Sequence, residues 1–131
     1  LPVHPRTRRR LEEFGLQERA SALKLVEPLG YVELMGLLEG CSAVVTDSGG
    51  FQKEAYFAEK RALVMMPDTG WRELVEVGWH RLCAPDAQEM TRAFADLDAP
   101  GPCPAGIYGD GAAGDRVAQD LAGLLASGAK H

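Results

Sequence analysis

A three-layer α/β fold, with a parallel sheet covered by helices on both faces, is the class this 131-residue chain predicts. Two observations predict it. Short runs of apolar and β-branched residues, such as AVVT at 43–46 and ALVMM at 62–66, read as strands. Segments of helical pattern separate them, and such alternation builds parallel sheets with helices on both faces.

In order, Leu1–Val3 reads as the tail of a strand. Thr7–Phe14 reads as a helix stopped by Gly15. Leu23–Val26 is a short strand. Tyr31–Leu38 is a helix whose Val32, Leu34, Met35, Leu37 and Leu38 suggest heavy burial. Ala43–Thr46 is a strand and Phe51–Glu59 a helix. Ala62–Met66 is a strand, and Arg72–Val77 a helix ending at Gly78. Arg81–Cys83 is a brief strand and Ala87–Leu97 a helix. Ala99–Gly106, rich in proline and glycine, is a loop. Ala113–Leu125 is a last helix with Val117, Leu121, Leu124 and Leu125 on one face. Right-handed crossovers put all βα turns along one edge of the sheet. The loops after Val3, Val26, Thr46 and Met66 are therefore expected to share a rim at the strands' carboxyl ends, where such folds bind ligands.

Composition narrows the function. Hydrophobic residues make up 46% and charged residues 25%, the balance of one globular domain over residues 1–131. The net charge is −5, which argues against nucleic acid or an anionic membrane as main partner. No apolar run approaches the roughly 20 residues needed to span a bilayer, and no signal peptide is evident. A first residue other than Met suggests a piece of a longer protein. Cys41, Cys83 and Cys103 are odd in number, with no CxxC spacing; reduced thiols in a cytoplasmic protein are expected. His4, His80 and His131 show no ligand spacing, so no metal is expected.

Chemistry concentrates in residues 44–54, Val-Val-Thr-Asp-Ser-Gly-Gly-Phe-Gln-Lys-Glu. This is a strand, a tight turn and a helix. The turn is expected to leave the N–H groups of Ser48, Gly49 and Gly50 pointing outward at a helix N-terminus. Unpaired first-turn donors and the helix dipole favour an anion there, and two missing Cβ atoms allow close approach. Glu54, one turn beyond Gly50, suits the two hydroxyls of a ribose. A nucleotide diphosphate on the turn fits this pattern. An ordinary βα connection, with Ser48 as N-cap and Glu54 solvated, fits residues 44–54 equally well.

The wider sequence resembles the C-terminal domain of the non-hydrolysing UDP-N-acetylglucosamine 2-epimerases. Pro2–Arg8 is similar to the family's PVHPRTR segment, Glu27–Tyr31 to EPLGY, and Thr46–Glu54 to TDSGGIQEE. Trp71–Trp79 is similar to an EWxELVExGW variant, and Tyr108–Gly111 with Arg116 to YGDG…R. The resemblance implies one half of a GT-B-type fold of two Rossmann-like domains, here without its first strand and its HRRE-type segment. It implies interconversion of UDP-N-acetylglucosamine and UDP-N-acetylmannosamine by elimination and re-addition of UDP, without metal or redox cofactor. The parent enzyme is then expected to be a cytoplasmic homodimer serving cell-surface polysaccharide synthesis. Its catalytic carboxylates lie in an N-terminal domain absent from this chain, so the chain alone should be inactive.

Carried over residue by residue, Ser48, Gly49 and Gly50 would hold the diphosphate and Glu54 the ribose. His4 and Arg6 match a segment near the nucleotide or the domain interface. Pro28, with Leu29 and Tyr31, matches the loop that recognises the base. Arg8–Arg10 read as a solvated helix face. Arg72 follows a loop one residue shorter than the family's ERPE variant. Trp71 and Trp79 read as packing, and Tyr108, Asp110 and Arg116 as a turn and helix cap. Lys53 and Phe51 replace a usual acidic residue and a usual Ile. Two alternatives stand beside the epimerase: the nucleotide half of a GT-B glycosyltransferase, and a non-catalytic UDP-sugar binding module.

Overall fold

A three-residue strand tail has few partners to offer, and the computed structural model, which describes residues 1–97 and 101–128, shows the result. The expected strands at 1–3 and 23–26 reduce to one parallel bridge, Pro2 with Val26. Val3 N–H donates to Val26 O at 2.9 Å, and Val26 N–H to Leu1 O at 3.0 Å. These residues belong to the first of two compact units, Leu1–Ser42 and Ala43–His131.

The first unit carries α1 (Pro5–Glu13), α2 (Gln17–Ala20) and α3 (Tyr31–Glu39). Pro5 opens α1, where its missing N–H costs nothing. Gly15 closes it in the left-handed region, φ 62°. Glu33 caps α3 by accepting the Gly30 N–H at 2.7 Å. The expected burial of α3 is not realised: only Leu38 is buried, and Val32 is 82% exposed. Leu34 and Met35 are half-buried and Leu37 exposed. The apolar residues of α3 surround the helix rather than forming a single stripe, so the unit's small core cannot cover them all.

The second unit contains β1 (Ala43–Thr46), α4 (Gly49–Phe57), β2 (Arg61–Val64) and α5 (Arg72–Glu76). It continues with β3 (Arg81–Leu82), α6 (Ala87–Leu97) and α7 (Ala113–Gly128). The sheet is parallel, in order β1-β2-β3. Ala43 pairs with Arg61 and Thr46 with Val64; Leu63 pairs with Arg81. Ala62, Leu63 and Val64 of the central strand are fully buried, as a strand covered on both faces requires. Leu63 packs with Cys83 and with Ala93 and Leu97 of α6. A second cluster joins Tyr56 of α4, Leu74 of α5 and Trp79. The helices after β1 and β3 follow the sequence reading closely; the central strand runs over Arg61–Val64 rather than 62–66, with Arg61 half-buried.

The final helix forms where the sequence places it, three residues longer at its end. The apolar face Val117, Leu121, Leu124, Leu125 is exposed, and Leu125 reaches 76%. Of the expected loop at 99–106, residues 99 and 100 lie outside the described residues; the remainder has no regular structure.

Candidate functional site

The buried end of β1 sets the turn. Thr46 Oγ1 accepts the Ser48 N–H at 3.0 Å, and Ser48 Oγ accepts the Phe51 N–H at 3.4 Å as N-cap of α4. The sequence reading offered three outward amides; the first, on Ser48, is engaged by Thr46 and points inward. The amides of Gly49 and Gly50 have no partner among the described residues. A Cβ built on either glycine meets nothing within 4 Å, so the face of the turn is open. Glu54 stands half-buried on α4, one turn beyond Gly50.

The carbonyls behind these amides are held. Gln52, 1% exposed, donates from Nε2 to Ser48 O at 3.4 Å. Trp71 Nε1 donates to Gly49 O at 2.6 Å. Thr69 connects the two: its hydroxyl donates to Gln52 Oε1 at 2.6 Å and accepts the Trp71 N–H at 3.1 Å. The Lys53 ammonium sits 4.5 Å from the Trp71 ring centre and 4.2 Å from that of Tyr108, a double cation–π contact. Glu73 lies alongside. Its carboxyl is held below the usual value first by its own backbone N–H, with Tyr108 and Lys53 adding to the effect. Burial, and then the Glu73 carboxylate, push the Tyr108 phenol well above its ordinary value. Lys53 is thus held between two aromatic rings and beside a carboxylate.

The other predicted residues have plainer surroundings. Arg72 lies 3.9 Å from the Asp68 carboxylate, both exposed. Asp110 accepts the Ala112 N–H and pairs with Arg116 at 2.5 Å, the expected turn and cap ahead of α7. In the first unit His4 is the N-cap of α1, its Nδ1 accepting the Arg6 N–H at 3.2 Å. Arg6 and Pro28 are exposed. Arg8 pairs with Glu27 at 2.6 Å and Arg10 with Glu13 at 3.0 Å, as a solvated basic face does.

Against this geometry stand the comparisons with known proteins. The model of the family described as UDP-N-acetylglucosamine 2-epimerase matches residues 1–122. The chain belongs to that family. A relative from Pseudomonas aeruginosa, UDP-2,3-diacetamido-2,3-dideoxy-D-glucuronate 2-epimerase, is 39% identical over 126 residues, which is 95% of this chain and 34% of the relative. The UDP-N-acetylglucosamine 2-epimerase of Methanocaldococcus jannaschii is 30% identical over 122 residues, 91% of this chain and 33% of the relative. The solved structure of the M. jannaschii enzyme superimposes with a TM-score of 0.82 at 30% identity, covering 92% of this chain and 34% of the other. A complex of that enzyme with UDP-GlcNAc and UDP gives a TM-score of 0.74. The chain spans about a third of the length of these epimerases.

Membership in the epimerase family and the observed fold agree: a parallel sheet flanked by helices, with a glycine turn at the carboxyl end of β1. The sequence reading named Gln52 only as part of the 44–54 segment, gave Thr69 no role of its own, and saw Trp71 only as packing. One signal was present: Gln52 is a polar residue on the face of α4 that also buries Ala55 and Tyr56, and a buried amide needs partners.

Proposed function

We propose that this chain is the UDP-holding part of the C-terminal domain of an epimerase that interconverts UDP-N-acetylglucosamine and UDP-N-acetylmannosamine. One observation carries the reading: in a chain of this family, two adjacent amides, Gly49 and Gly50, lie unpaired among the described residues and unobstructed at the N-terminus of a nine-residue helix. In the forward direction the C2 proton is abstracted and the C1–O bond breaks, UDP leaving with the electron pair and 2-acetamidoglucal remaining. Re-addition of UDP at C1 and of a proton to the other face of C2 gives the epimer. UDP is leaving group and nucleophile in turn, so it must be held through both steps. Preorganised amides suit this, because they stabilise charge as it develops on the departing diphosphate. The Ser48 hydroxyl has a proton to add, and Glu54 accepts from the ribose. By the resemblance alone, His4 and Arg6 match a segment near the nucleotide or the domain interface, and Pro28 the loop for the base. The carboxylates that move the C2 proton belong to the rest of the parent enzyme, which in this reading is a cytoplasmic homodimer making precursors of surface polysaccharide.

The test is a backbone-amide NMR titration of the chain with UDP. Saturable shifts centred on Gly49, Gly50 and Glu54 support the reading; a folded sample without shifts, matched by absent UDP binding in the full-length protein, sinks it. A second substrate is favoured by the 39% identity over 95% of the chain to the diacetamido-glucuronate enzyme. Supplying the full-length protein with each UDP-sugar and identifying the C2 epimer by NMR decides between the two.

A further inference from the structure

We infer that Trp71, Thr69 and Gln52 are positioning residues that aim the two free amides of the Ser48–Gly50 turn. The inference rests on the proposed diphosphate role of that turn and explains how the turn is kept ready. In a trans peptide the carbonyl and the following N–H point in opposite directions. Fixing one therefore aims the other. The Ser48 carbonyl accepts Gln52 Nε2, which aims the Gly49 N–H; the Gly49 carbonyl accepts Trp71 Nε1 at 2.6 Å, which aims the Gly50 N–H. Two consecutive peptide units are thus tied from behind by two side chains. The Thr69 hydroxyl joins those side chains, donating to one and accepting from the backbone of the other. Lys53 holds the Trp71 ring from its face. The glycines by themselves supply access but no rigidity, since they have the widest conformational freedom of any residue. The truss supplies the rigidity, so the amides meet an arriving phosphate already oriented.

Trp71→Phe keeps an aromatic ring for Lys53 and removes the donor to Gly49. Thr69→Val keeps the shape and removes the link. Both are measured in the full-length protein by calorimetric titration with UDP and with uridine, which lacks the diphosphate. Each variant is expected to weaken UDP about fivefold, the scale of one lost hydrogen bond, and to leave uridine unchanged. Equal loss for both ligands means that the truss supports the fold in general, and overturns the proposal. Unchanged UDP affinity in a folded variant overturns it as well. Wild-type protein that binds uridine but gains nothing from the diphosphate overturns the reading of the turn itself, a separate failure. Should Trp71→Phe not fold, Thr69→Val carries the same comparison.

Discussion

His80 Nε2 lies 2.7 Å from the backbone carbonyl of Gln52, and its other ring nitrogen, Nδ1, accepts the Ala62 N–H at 3.1 Å. The second bond fixes the tautomer: Nδ1 is the acceptor, so Nε2 carries the proton and donates. One buried imidazole thereby ties the start of β2 to the middle of α4, the helix whose N-terminus forms the candidate turn.

This neutral histidine predicts a pH dependence. Burial lowers its pKa, and the hydrogen bond to Gln52 offsets part of the effect. The unfolded chain takes up its proton near pH 6.5, whereas the folded chain does so only at lower pH. The unfolded state therefore binds more protons in between, and the stabilising contribution is full above about pH 6.5 and lost as pH falls towards the depressed folded value. His80→Gln should cost about 1–3 kcal/mol at pH 7.5, for the unsatisfied buried groups it leaves. The gap between wild type and variant should narrow at pH 5.5 in urea unfolding. A constant gap across that range would mean that His80 does not titrate in it.

Gly50→Ala separates folding from binding. The added methyl meets nothing within 4 Å, and the backbone there is not in the left-handed region. Alanine is a better helix former, so the chain should hold its stability or gain up to about 1 kcal/mol. The methyl nonetheless stands on the open face where a phosphate would approach. UDP affinity should fall about tenfold, the scale of displacing one amide contact. Gly50→Asp should lose more, because it adds a negative charge. Thermal unfolding and calorimetric titration of the same samples give both numbers; unchanged UDP affinity in both variants removes the turn from the binding site.

How legible this was in the sequence depended on the range of the forces involved. Ala43–Thr46 and Ala87–Leu97 were placed to the residue, because period and flanking turns are local signals. The glycine turn was legible because a β-branched run, a Ser N-cap and two glycines in succession are local signals of a strand, turn and helix. The side chains that brace it were not. Gln52 and Thr69 are 17 residues apart, and Trp71 and Gly49 are 22 apart; only the β1–α4–β2 crossover brings them together. Burial on α3 failed for another reason. A helical apolar stripe says which face wants a partner, but not whether this stretch of chain contains one.

Tyr56 gives a prediction about the loop at 101–108. Its hydroxyl donates to Pro104 O at 2.7 Å, and its ring meets Tyr108 edge-on at 5.3 Å. Tyr56→Phe removes only the hydrogen bond and should cost about 1 kcal/mol. Tyr56→Ala also removes the ring and should cost about 3–5 kcal/mol. Urea unfolding of both variants checks the ratio; equal losses would mean that the ring contributes little and that the loop is held elsewhere.

The exposed stripe on α7 predicts an asymmetry between apolar residues that the sequence alone treats alike. Leu124 and Leu125 are 68% and 76% exposed, whereas Leu63 is fully buried at the centre of the sheet. Leu63→Ala should cost about 2–5 kcal/mol, the transfer term plus the cavity left behind. Leu124→Gln with Leu125→Gln should change the stability of this chain by less than about 0.5 kcal/mol, since glutamine is also a good helix former and no packing is lost. The double variant should also self-associate less in sedimentation, because an apolar stripe in water favours contact between copies. A loss comparable to that of Leu63→Ala would show that the apolar face of α7 is packed in solution.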